Sequence, residues 1–186
     1  MKKIPTLFER DWNGDRSRVT DKVNPKCQWV IDGEGVATRK LDGTSCLVRD
    51  GSLLKRRELR DGDIEPFGFE LADYDHETKK RVGWVPVEPA NPADRYHVEA
   101  FTRSPGLADG TYELIGPKVQ GNPENVPSHE LVAHTMAAEF PDAPRTFEGL
   151  REWLADFDGE GLVWHHPDGR MAKIKLRDFG IKRPKS

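Results

Sequence analysis

Lysine and carboxylate side chains occur in this chain at positions where a reactive group would be held by a turn or a strand end. The segment Lys40-Leu41-Asp42-Gly43 places a lysine at the end of a short, partly β-branched run and follows it with a tight turn. Glycine in such a turn lets a ligand approach the backbone closely. A lysine amine becomes a nucleophile when neighbouring cations or desolvation favour its neutral form. By itself the segment also fits an ordinary hairpin with a solvated lysine.

Three further segments carry charged side chains on predicted strands. Glu113 lies between apolar strand residues, and Glu160 opens an apolar run that continues through Val163. Lys173 and Lys175 are two residues apart, so both side chains project from the same face of a strand. Adjacent ammonium groups repel each other and require an anion between them or water around them.

The elements predicted around the lysine are short strands and tight turns. Two strong hairpin dipeptides, Asp42-Gly43 and Asp50-Gly51, separate partly β-branched segments at 36–41, 45–49 and 52–56. A helix is predicted over 92–101 and a strand over 111–115. These elements indicate an α+β fold in which antiparallel sheets are flanked by helices.

The C-terminal part of the chain predicts a helix followed by a hairpin. Thr146 is a suitable N-cap for a helix over 146–157, because apolar residues recur there at helical spacing. The hairpin turns at Pro167-Asp168-Gly169. A two-residue loop would place Lys173 opposite Trp164, whereas a three-residue loop would place it opposite Val163. The sequence leaves both registers open.

Length and composition favour one domain over residues 1–186, with the polar and turn-rich residues 1–30 as an extended lead-in. No apolar run is long enough to span a bilayer. The cysteines, Cys27 and Cys46, offer neither a disulfide framework nor a zinc-ligand spacing, which favours a reducing cytoplasmic location.

Overall charge argues against a protein that coats nucleic acid by electrostatics alone. The chain has 29 basic and 32 acidic residues, for a formal net charge of −3. Local basic runs remain candidates for contacts with nucleic acid, and each also fits a solvated surface. These runs are Lys55-Arg56-Arg57, Lys79-Lys80-Arg81, and Lys182, Arg183 and Lys185.

Taken together, the four segments resemble the collinear motifs of the covalent nucleotidyltransferases, which include ATP-dependent DNA and RNA ligases and messenger-RNA capping enzymes. The resemblance extends from Val36 to Arg183. The opening IPTLFERD, at 4–11, and the stretch YELIGPKVQGN, at 112–122, are similar to the small single-domain RNA ligases. The resemblance implies a nucleotidyltransferase core, ATP-grasp-like in architecture, without an appended oligonucleotide-binding domain.

The resemblance also implies a mechanism that begins at Lys40. This lysine would attack the α-phosphate of ATP and form lysyl-AMP, and the AMP would pass to the 5′-phosphate of an RNA end that a 3′-hydroxyl then seals. Lys173 and Lys175 match the last motif, whose lysines contact the α-phosphate. Glu113 and Glu160 match motifs whose carboxylates hold ribose hydroxyls or Mg²⁺ (or Mn²⁺), ions that suit hard oxygen ligands.

Several residues would bind the nucleotide according to the same resemblance. Asp42 and Gly43 would shape the turn beside the nucleophile. Arg57 matches an arginine that clamps the ribose or the incoming phosphate, and Arg56 is an equal alternative. Val163 would form a floor under the adenine or simply pack in the core.

Two departures from the family pattern restrict the interpretation. Many ligases carry a glutamate next to the nucleophile, whereas Thr38 and Arg39 precede Lys40, so adenine would be recognised by backbone groups or the Thr38 hydroxyl. The chain ends eleven residues after Lys175, which leaves no room for the domain that DNA ligases and capping enzymes append. This favours an RNA ligase acting in RNA repair, with RNA bound by the basic runs or with an accessory protein.

Two alternatives to an RNA ligase remain. One is a small DNA ligase or a guanylyltransferase. The other is a non-catalytic nucleotide- or RNA-binding module, although no position required for the first step is replaced.

Overall fold

A computed structural model describes residues 2–76 and 78–183 of the chain. These residues form an α+β structure with antiparallel sheets and few helices, which confirms the predicted class. They divide into two compact units. One unit contains residues 4–41 and 137–183, and is called the lysine unit because it carries Lys40. The other contains residues 2–3 and 42–136, and is called the glutamate unit because it carries Glu113.

The strands in chain order are β1 (Phe8–Arg10), β2 (Val19–Val23), β3 (Val36–Lys40), β4 (Thr44–Arg49), β5 (Ser52–Leu59), β6 (Glu70–Asp75), β7 (Lys80–Pro86), β8 (Gly110–Ile115), β9 (Glu130–Ala133), β10 (Gly161–His165) and β11 (Met171–Lys175). The α-helices are α1 (Gln28–Ile31), α2 (Arg95–Arg103) and α3 (Phe147–Ala155). Short 3-10 helices span Pro25–Cys27, Pro92–Asp94, His134–Met136 and Leu176–Phe179.

The lysine unit is built on a three-stranded antiparallel sheet with the order β11-β10-β3. Its strands alternate in side-chain direction, so one face buries apolar residues and the other remains available for polar ones. Leu162 and Trp164 of β10 and Ile174 of β11 are fully buried on the apolar face. They belong to the same core cluster as Leu150 and Leu154 of α3. The Thr146 hydroxyl caps α3 by accepting a hydrogen bond from the Gly149 N–H at 3.2 Å, which confirms the predicted helix start.

Residues near the N-terminus contribute more than the extended lead-in expected from their polarity. β1 pairs with β2, and residues 5–7 run parallel to β11, since the Leu7 N–H donates to the Lys173 carbonyl at 2.8 Å. Leu7 and Phe8 are buried in the core of the lysine unit. The apolar residues of this segment escape a pattern search because strand, 3-10 helix and α-helix each last only a few residues and no single period persists.

The hairpin between β10 and β11 settles the register that the sequence leaves open. Val163 lies opposite Lys173, as the three-residue loop requires. The loop closes through the His166 N–H, which donates to the Arg170 carbonyl at 2.9 Å, and Gly169 adopts a φ of 89°. Glycine suits this left-handed position, which follows a type I turn in three-residue hairpins.

The glutamate unit contains a six-stranded antiparallel sheet with the order β6-β7-β5-β4-β8-β9. Cys46, Val48 and Tyr112 are among the buried residues of its core cluster, which also includes Ala100 of α2. The predicted helix over 92–101 is confirmed as the 3-10 turn Pro92–Asp94 followed by α2. Among the described residues, no helix is both long and apolar enough to cross a membrane.

Gly161 is the glycine on which the central strand of the lysine unit depends. Its φ is 154°, and a Cβ at this position would collide with the Ile174 carbonyl oxygen. At Gly169, by contrast, a Cβ would meet no atom within 4 Å. We expect Gly161→Ala to lower the free energy of unfolding by about 3 kcal/mol, because strain and a backbone clash combine. Gly169→Ala should cost about 1 kcal/mol, since only the left-handed conformation is penalised. Urea denaturation of both variants checks this, and equal losses would contradict it.

Candidate active site

One face of the lysine-unit sheet brings the predicted lysines together. In β10, Gly161 is paired with Lys40 of β3 on one side and with Lys175 of β11 on the other. Two residues along, Val163 is paired with Thr38 and with Lys173. Directly paired residues project from the same face of a sheet, so these two rows share one surface. We call this surface the lysine face.

Glu160 lies between two of the lysines of this face. Its Oε2 is 2.5 Å from the Nζ of Lys40, and its Oε1 contacts the Nζ of Lys175. The side chains of the three residues are between 13% and 20% exposed, so each is largely removed from water. Strict alternation along β10 would direct Glu160 to the apolar face. It reaches the lysines instead because it precedes the strand and the positive φ of Gly161 breaks the alternation.

The protonation equilibria of this cluster follow from burial and from its charges. Burial alone raises the pKa of Glu160, but the ammonium groups of Lys40 and Lys175 outweigh it and hold that pKa below its ordinary value. Burial lowers the pKa of Lys175, and the charge of Lys40 lowers it further, while Glu160 acts in the opposite direction. The side chains of Lys40, Lys175 and Glu160 together carry two positive charges and one negative charge. The cluster therefore retains an excess positive charge that favours anions.

The two residues that precede Lys40 in sequence lie on opposite faces of β3. Thr38 belongs to the lysine face, and its hydroxyl donates a hydrogen bond to the Val163 carbonyl at 3.1 Å. Arg39 belongs to the apolar face, where its guanidinium donates to the Asp158 carbonyl and lies 5.6 Å from the centre of the Phe157 ring. The residue that replaces the family's glutamate is thus directed away from the lysine face. Val163 is 8% exposed on that face, whereas the apolar core lies on the other.

In the glutamate unit, Glu113 is held against the turn that follows Lys40 in sequence. Glu113 is 7% exposed, and its Oε1 accepts the Gly43 N–H at 3.1 Å. The Asp42 N–H donates to Glu124 Oε1, also at 3.1 Å. A Cβ at Gly43 would collide with the Leu114 carbonyl oxygen, which explains why glycine occupies this position. The two predicted residues Asp42 and Gly43 therefore form a turn fixed by two carboxylates.

His134 is a member of this site that the sequence reasoning missed. Its Nε2 lies 3.0 Å from Glu113 Oε2, and its Nδ1 lies 2.9 Å from the hydroxyl of Thr111. An isolated histidine twenty-one positions from Glu113 has no local signature. It becomes visible only once β8 and β9 are paired, since Tyr112 lies opposite Ala133.

The pairing of β5 with β4 distinguishes the two candidate arginines, Arg56 and Arg57, by the face of the sheet on which each lies. Ser45 of β4 pairs with Glu113 of β8. Cys46 pairs with Lys55 in the ladder between β4 and β5, and the same register places Arg56 opposite Ser45. Arg56 therefore lies in the same cross-strand row as Glu113. Burial lowers the pKa of Arg56, and nearby carboxylates that include Glu113 act in the opposite direction. Arg57 is exposed and projects from the other face of the strand. The geometry favours Arg56 beside Glu113.

Several residues of the predicted basic runs are already engaged in ion pairs. Lys55 contacts the buried carboxylate of Asp94, Lys80 lies 2.5 Å from Glu58, and Arg81 lies 2.5 Å from Glu65. The run at Lys182 and Arg183 continues to Lys185, which lies outside the described residues. The first two runs are therefore partly neutralised within the glutamate unit itself.

A preformed metal cage is not part of this arrangement. Within residues 2–76 and 78–183, no three His, Cys, Asp or Glu side chains are grouped so as to hold a metal ion. Glu160 offers one carboxylate, and both of its oxygens contact lysines. This donor set fits Mg²⁺ only as an ion that arrives with phosphate and keeps most of its water, which is its usual behaviour. The predicted metal ligands Glu113 and Glu160 stay a prediction.

Comparison with known proteins finds sequence similarity to one protein family. A family model described as RNA ligase 1 matches residues 103–186. RNA ligase 1 of Danio rerio is 28% identical over 267 residues, which cover 99% of this chain and 82% of the fish protein. RNA ligase 1 of Rattus norvegicus is 25% identical over 134 residues, and that of Pongo abelii is 27% identical over 139 residues. Each of these two matches covers 55% of this chain and 41% of the mammalian protein, so the chain spans less than half the length of those relatives.

These matches support the resemblance to RNA ligases that was drawn from the order of motifs. The family model and the fish relative, which aligns over nearly the whole chain, support an RNA ligase family member.

Stability measurements can test the charge balance at Glu160. We expect Glu160→Gln to lower the free energy of unfolding at pH 7 by roughly 1–3 kcal/mol, because two half-buried ammonium groups lose their shared partner. Because the pKa of Glu160 is depressed in the folded state, its stabilisation is complete above the unfolded value of about 4.3 and is lost as the pH falls below it. Urea denaturation from pH 7 to pH 3 should therefore show the wild type and the variant converging.

A surface ion pair in the same unit provides the control. Glu148 lies 2.9 Å from Arg151 on α3, and its side chain is 63% exposed. Glu148→Gln should change the free energy of unfolding by less than about 0.5 kcal/mol. A difference between wild type and Glu160→Gln that stays constant down to pH 3 would contradict the assigned charge state of Glu160.

Proposed function

We propose that this chain is an ATP-dependent RNA ligase that joins 5′-phosphate and 3′-hydroxyl RNA ends through a lysyl-AMP intermediate. The observation that carries the proposal is the row Lys175–Gly161–Lys40, with Glu160 between the two ammonium groups. A lysine with a buried anion site beside it is the arrangement that nucleophilic attack on a phosphate requires. The relatives named RNA ligase 1 support RNA as the polynucleotide.

The first step forms one bond and breaks another. Lys40 loses a proton to solvent water, and the lone pair on its Nζ attacks the α-phosphorus of ATP. A nitrogen–phosphorus bond forms while the bond between the α-phosphorus and the bridging oxygen breaks, and pyrophosphate leaves with that electron pair. The excess positive charge of the lysine face favours the loss of a proton from one of its ammonium groups.

Lys173 and Lys175 would stabilise the charge that grows on the α-phosphate oxygens. In the resting site, the carboxylate of Glu160 occupies the place between Lys40 and Lys175 where an anion is favoured. An α-phosphate entering there would take over Lys175 as a partner and leave Glu160 to contact the ribose or a hydrated metal. Mg²⁺ or Mn²⁺, when present with the nucleotide, would supply further neutralisation of the phosphate charge.

The remaining steps transfer the AMP to RNA and seal the strand. The 5′-phosphate oxygen of an RNA end attacks the phosphorus of lysyl-AMP, and the Lys40 nitrogen leaves and regains a proton. A 3′-hydroxyl oxygen then attacks the 5′-phosphorus of the adenylylated end, and AMP leaves as the phosphodiester forms. The lysine residues that serve the first step would serve these displacements too, because each one builds charge on phosphate oxygens.

Several further residues would bind the nucleotide in the proposed reaction. Val163 on the lysine face would support the adenine, and the Thr38 hydroxyl or nearby backbone groups would read its edge. Glu113 and the turn at Asp42 and Gly43 would bind the ribose, with Arg56 or Arg57 on the sugar or the phosphate. We propose that residues 1–186 act as one nucleotidyltransferase domain in a reducing cytoplasm, alone or with an accessory protein.

Intact-mass measurement tests the covalent chemistry. Wild-type protein incubated with ATP and Mg²⁺ should gain the mass of one AMP, and inorganic pyrophosphate should remove it. Lys40→Arg should gain none, because a guanidinium keeps the charge but offers no nucleophilic amine. Lys22→Ala changes an exposed strand lysine of the same unit and should form the adduct normally.

The outcomes separate the competing functions. An adduct from GTP instead of ATP would favour a guanylyltransferase, and sealing of DNA nicks but not RNA would favour a DNA ligase. Nucleotide binding without any adduct, after pyrophosphate treatment to discharge protein purified with AMP bound, would favour a non-catalytic module. An adduct on Lys40→Arg would exclude Lys40 as the nucleophile.

The two arginines of β5 form a matched pair for a kinetic test. Arg56 lies in the cross-strand row of Glu113, whereas Arg57 is exposed on the other face. We expect Arg56→Ala to reduce kcat/KM for adenylylation by roughly 100-fold, as the loss of one positioned donor to phosphate does. Arg57→Ala should stay within about threefold of wild type, the scale of a lost surface contact. A larger loss for Arg57→Ala would assign the nucleotide contact to that residue instead.

A further inference from the structure

Both oxygens of the buried Glu113 carboxylate already have donors within the glutamate unit. The Gly43 N–H occupies Oε1, and His134 occupies Oε2. Glu113 is 7% exposed, so it has little freedom to choose other partners. Its rotamer is therefore set by one backbone amide and one imidazole.

The chain of hydrogen bonds has a defined direction. An ionised carboxylate only accepts, so the Nε2 of His134 carries the proton that it donates to Glu113. In the neutral ring, Nδ1 then accepts from the hydroxyl of Thr111, 2.9 Å away. The carboxylate of Glu113 thus sets the tautomer of His134, while the hydroxyl of Thr111 orients the imidazole ring.

These contacts leave Glu113 with capacity for a ligand. Each carboxylate oxygen has two lone pairs, and the two donors use one on each oxygen. The remaining lone pairs are oriented by the same two contacts and can accept hydrogen bonds from hydroxyl groups. A vicinal pair of hydroxyls, such as that of a ribose, suits a carboxylate whose two oxygens are both held in place.

The same carboxylate also holds the turn after the nucleophile. Gly43 follows Lys40 by three residues, and its N–H is the group that Glu113 binds. A rotation of Glu113 would therefore release the Gly43 amide and misalign the ribose acceptors together. Small misalignments of positioning groups are costly for reactions that depend on geometry.

We propose that His134 is a positioning residue, which acts through Glu113 to present the acceptors for the ribose hydroxyls of ATP and to hold Gly43. This inference rests on the proposed function, because it assigns the ribose recognition of that reaction. Thr111 supports His134 in the same role.

The test compares ATP with 2′-deoxy-ATP and 3′-deoxy-ATP in single-turnover adenylylation. Wild type should favour ATP over at least one of the deoxy analogues by roughly 10-fold or more, because a buried acceptor is left unpaired by the analogue. His134→Leu should slow the reaction with ATP by roughly 10- to 100-fold and remove most of that preference. His134→Gln keeps an N–H donor at the position of Nε2 and should restore the rate with ATP to within about 10-fold of wild type.

A matched histidine controls for general effects of the substitution. His166 lies at the hairpin loop of the lysine unit, where its Nε2 contacts Glu34 at 2.6 Å. His166→Leu removes the same kind of histidine–carboxylate contact but should leave the rate and the preference for ATP unchanged. Thr111→Val should reproduce a weaker form of the His134→Leu effect, since it removes the hydroxyl that orients the imidazole but keeps the imidazole itself.

Amide hydrogen exchange gives a readout that needs no reaction. In His134→Leu the Gly43 amide should lose protection, while the amides of β4 and β8 keep theirs. Equal loss of protection across the unit, together with an unchanged preference for ATP, would show a merely structural role and overturn the inference. If wild type forms no AMP adduct, the proposed function fails first; the exchange measurement then still decides whether His134 holds Glu113 and Gly43.

Discussion

Glu160 lies between the ammonium groups of Lys40 and Lys175, and the arrangement of the lysine unit follows from that contact. The ammonium groups of Lys40 and Lys175 would repel each other, and the carboxylate between them offsets that repulsion. Burial makes each of these charges costly to leave unpaired. One carboxylate balances only one of these two ammonium groups, so the cluster keeps a positive charge. That remaining charge is the basis on which a phosphate is proposed to bind there.

Glycine is what allows the charged groups to approach the backbone so closely in both units. At Gly161 a side chain would collide with the Ile174 carbonyl, and at Gly43 it would collide with the Leu114 carbonyl. In each case the glycine is adjacent to a functional group: Gly161 follows Glu160, and Gly43 donates its N–H to Glu113. The short spacing of Lys-x-Asp-Gly and Glu-Gly therefore has a steric cause, since any larger residue would displace the strand that carries the partner.

Local sequence patterns predict some of the strand faces and helix ends of this structure, but they do not predict the contacts between distant segments. The two-residue spacing of Lys173 and Lys175 correctly places them on one face, and Thr146 marks the start of α3. The burial of Leu7 and Phe8 has no periodic signal because β1, which begins at Phe8, is only three residues long. Contacts that form only when strands distant in sequence pair could not be predicted from local sequence patterns. His134 and the distinction between Arg56 and Arg57 depend on register, which one strand does not encode.

Glu160 also explains how the lysine face could be prepared for a nucleotide before one arrives. Long lysine side chains lose rotamer freedom when they bind a phosphate, and a site that has already ordered them binds at a lower entropic cost. The contacts of Glu160 order Lys40 and Lys175 in the resting state, with the carboxylate in the position of an anionic ligand. In the proposed reaction, a phosphate would replace that carboxylate as the anionic partner of Lys175. The proposed exchange would therefore bind the phosphate through lysine side chains that are already ordered.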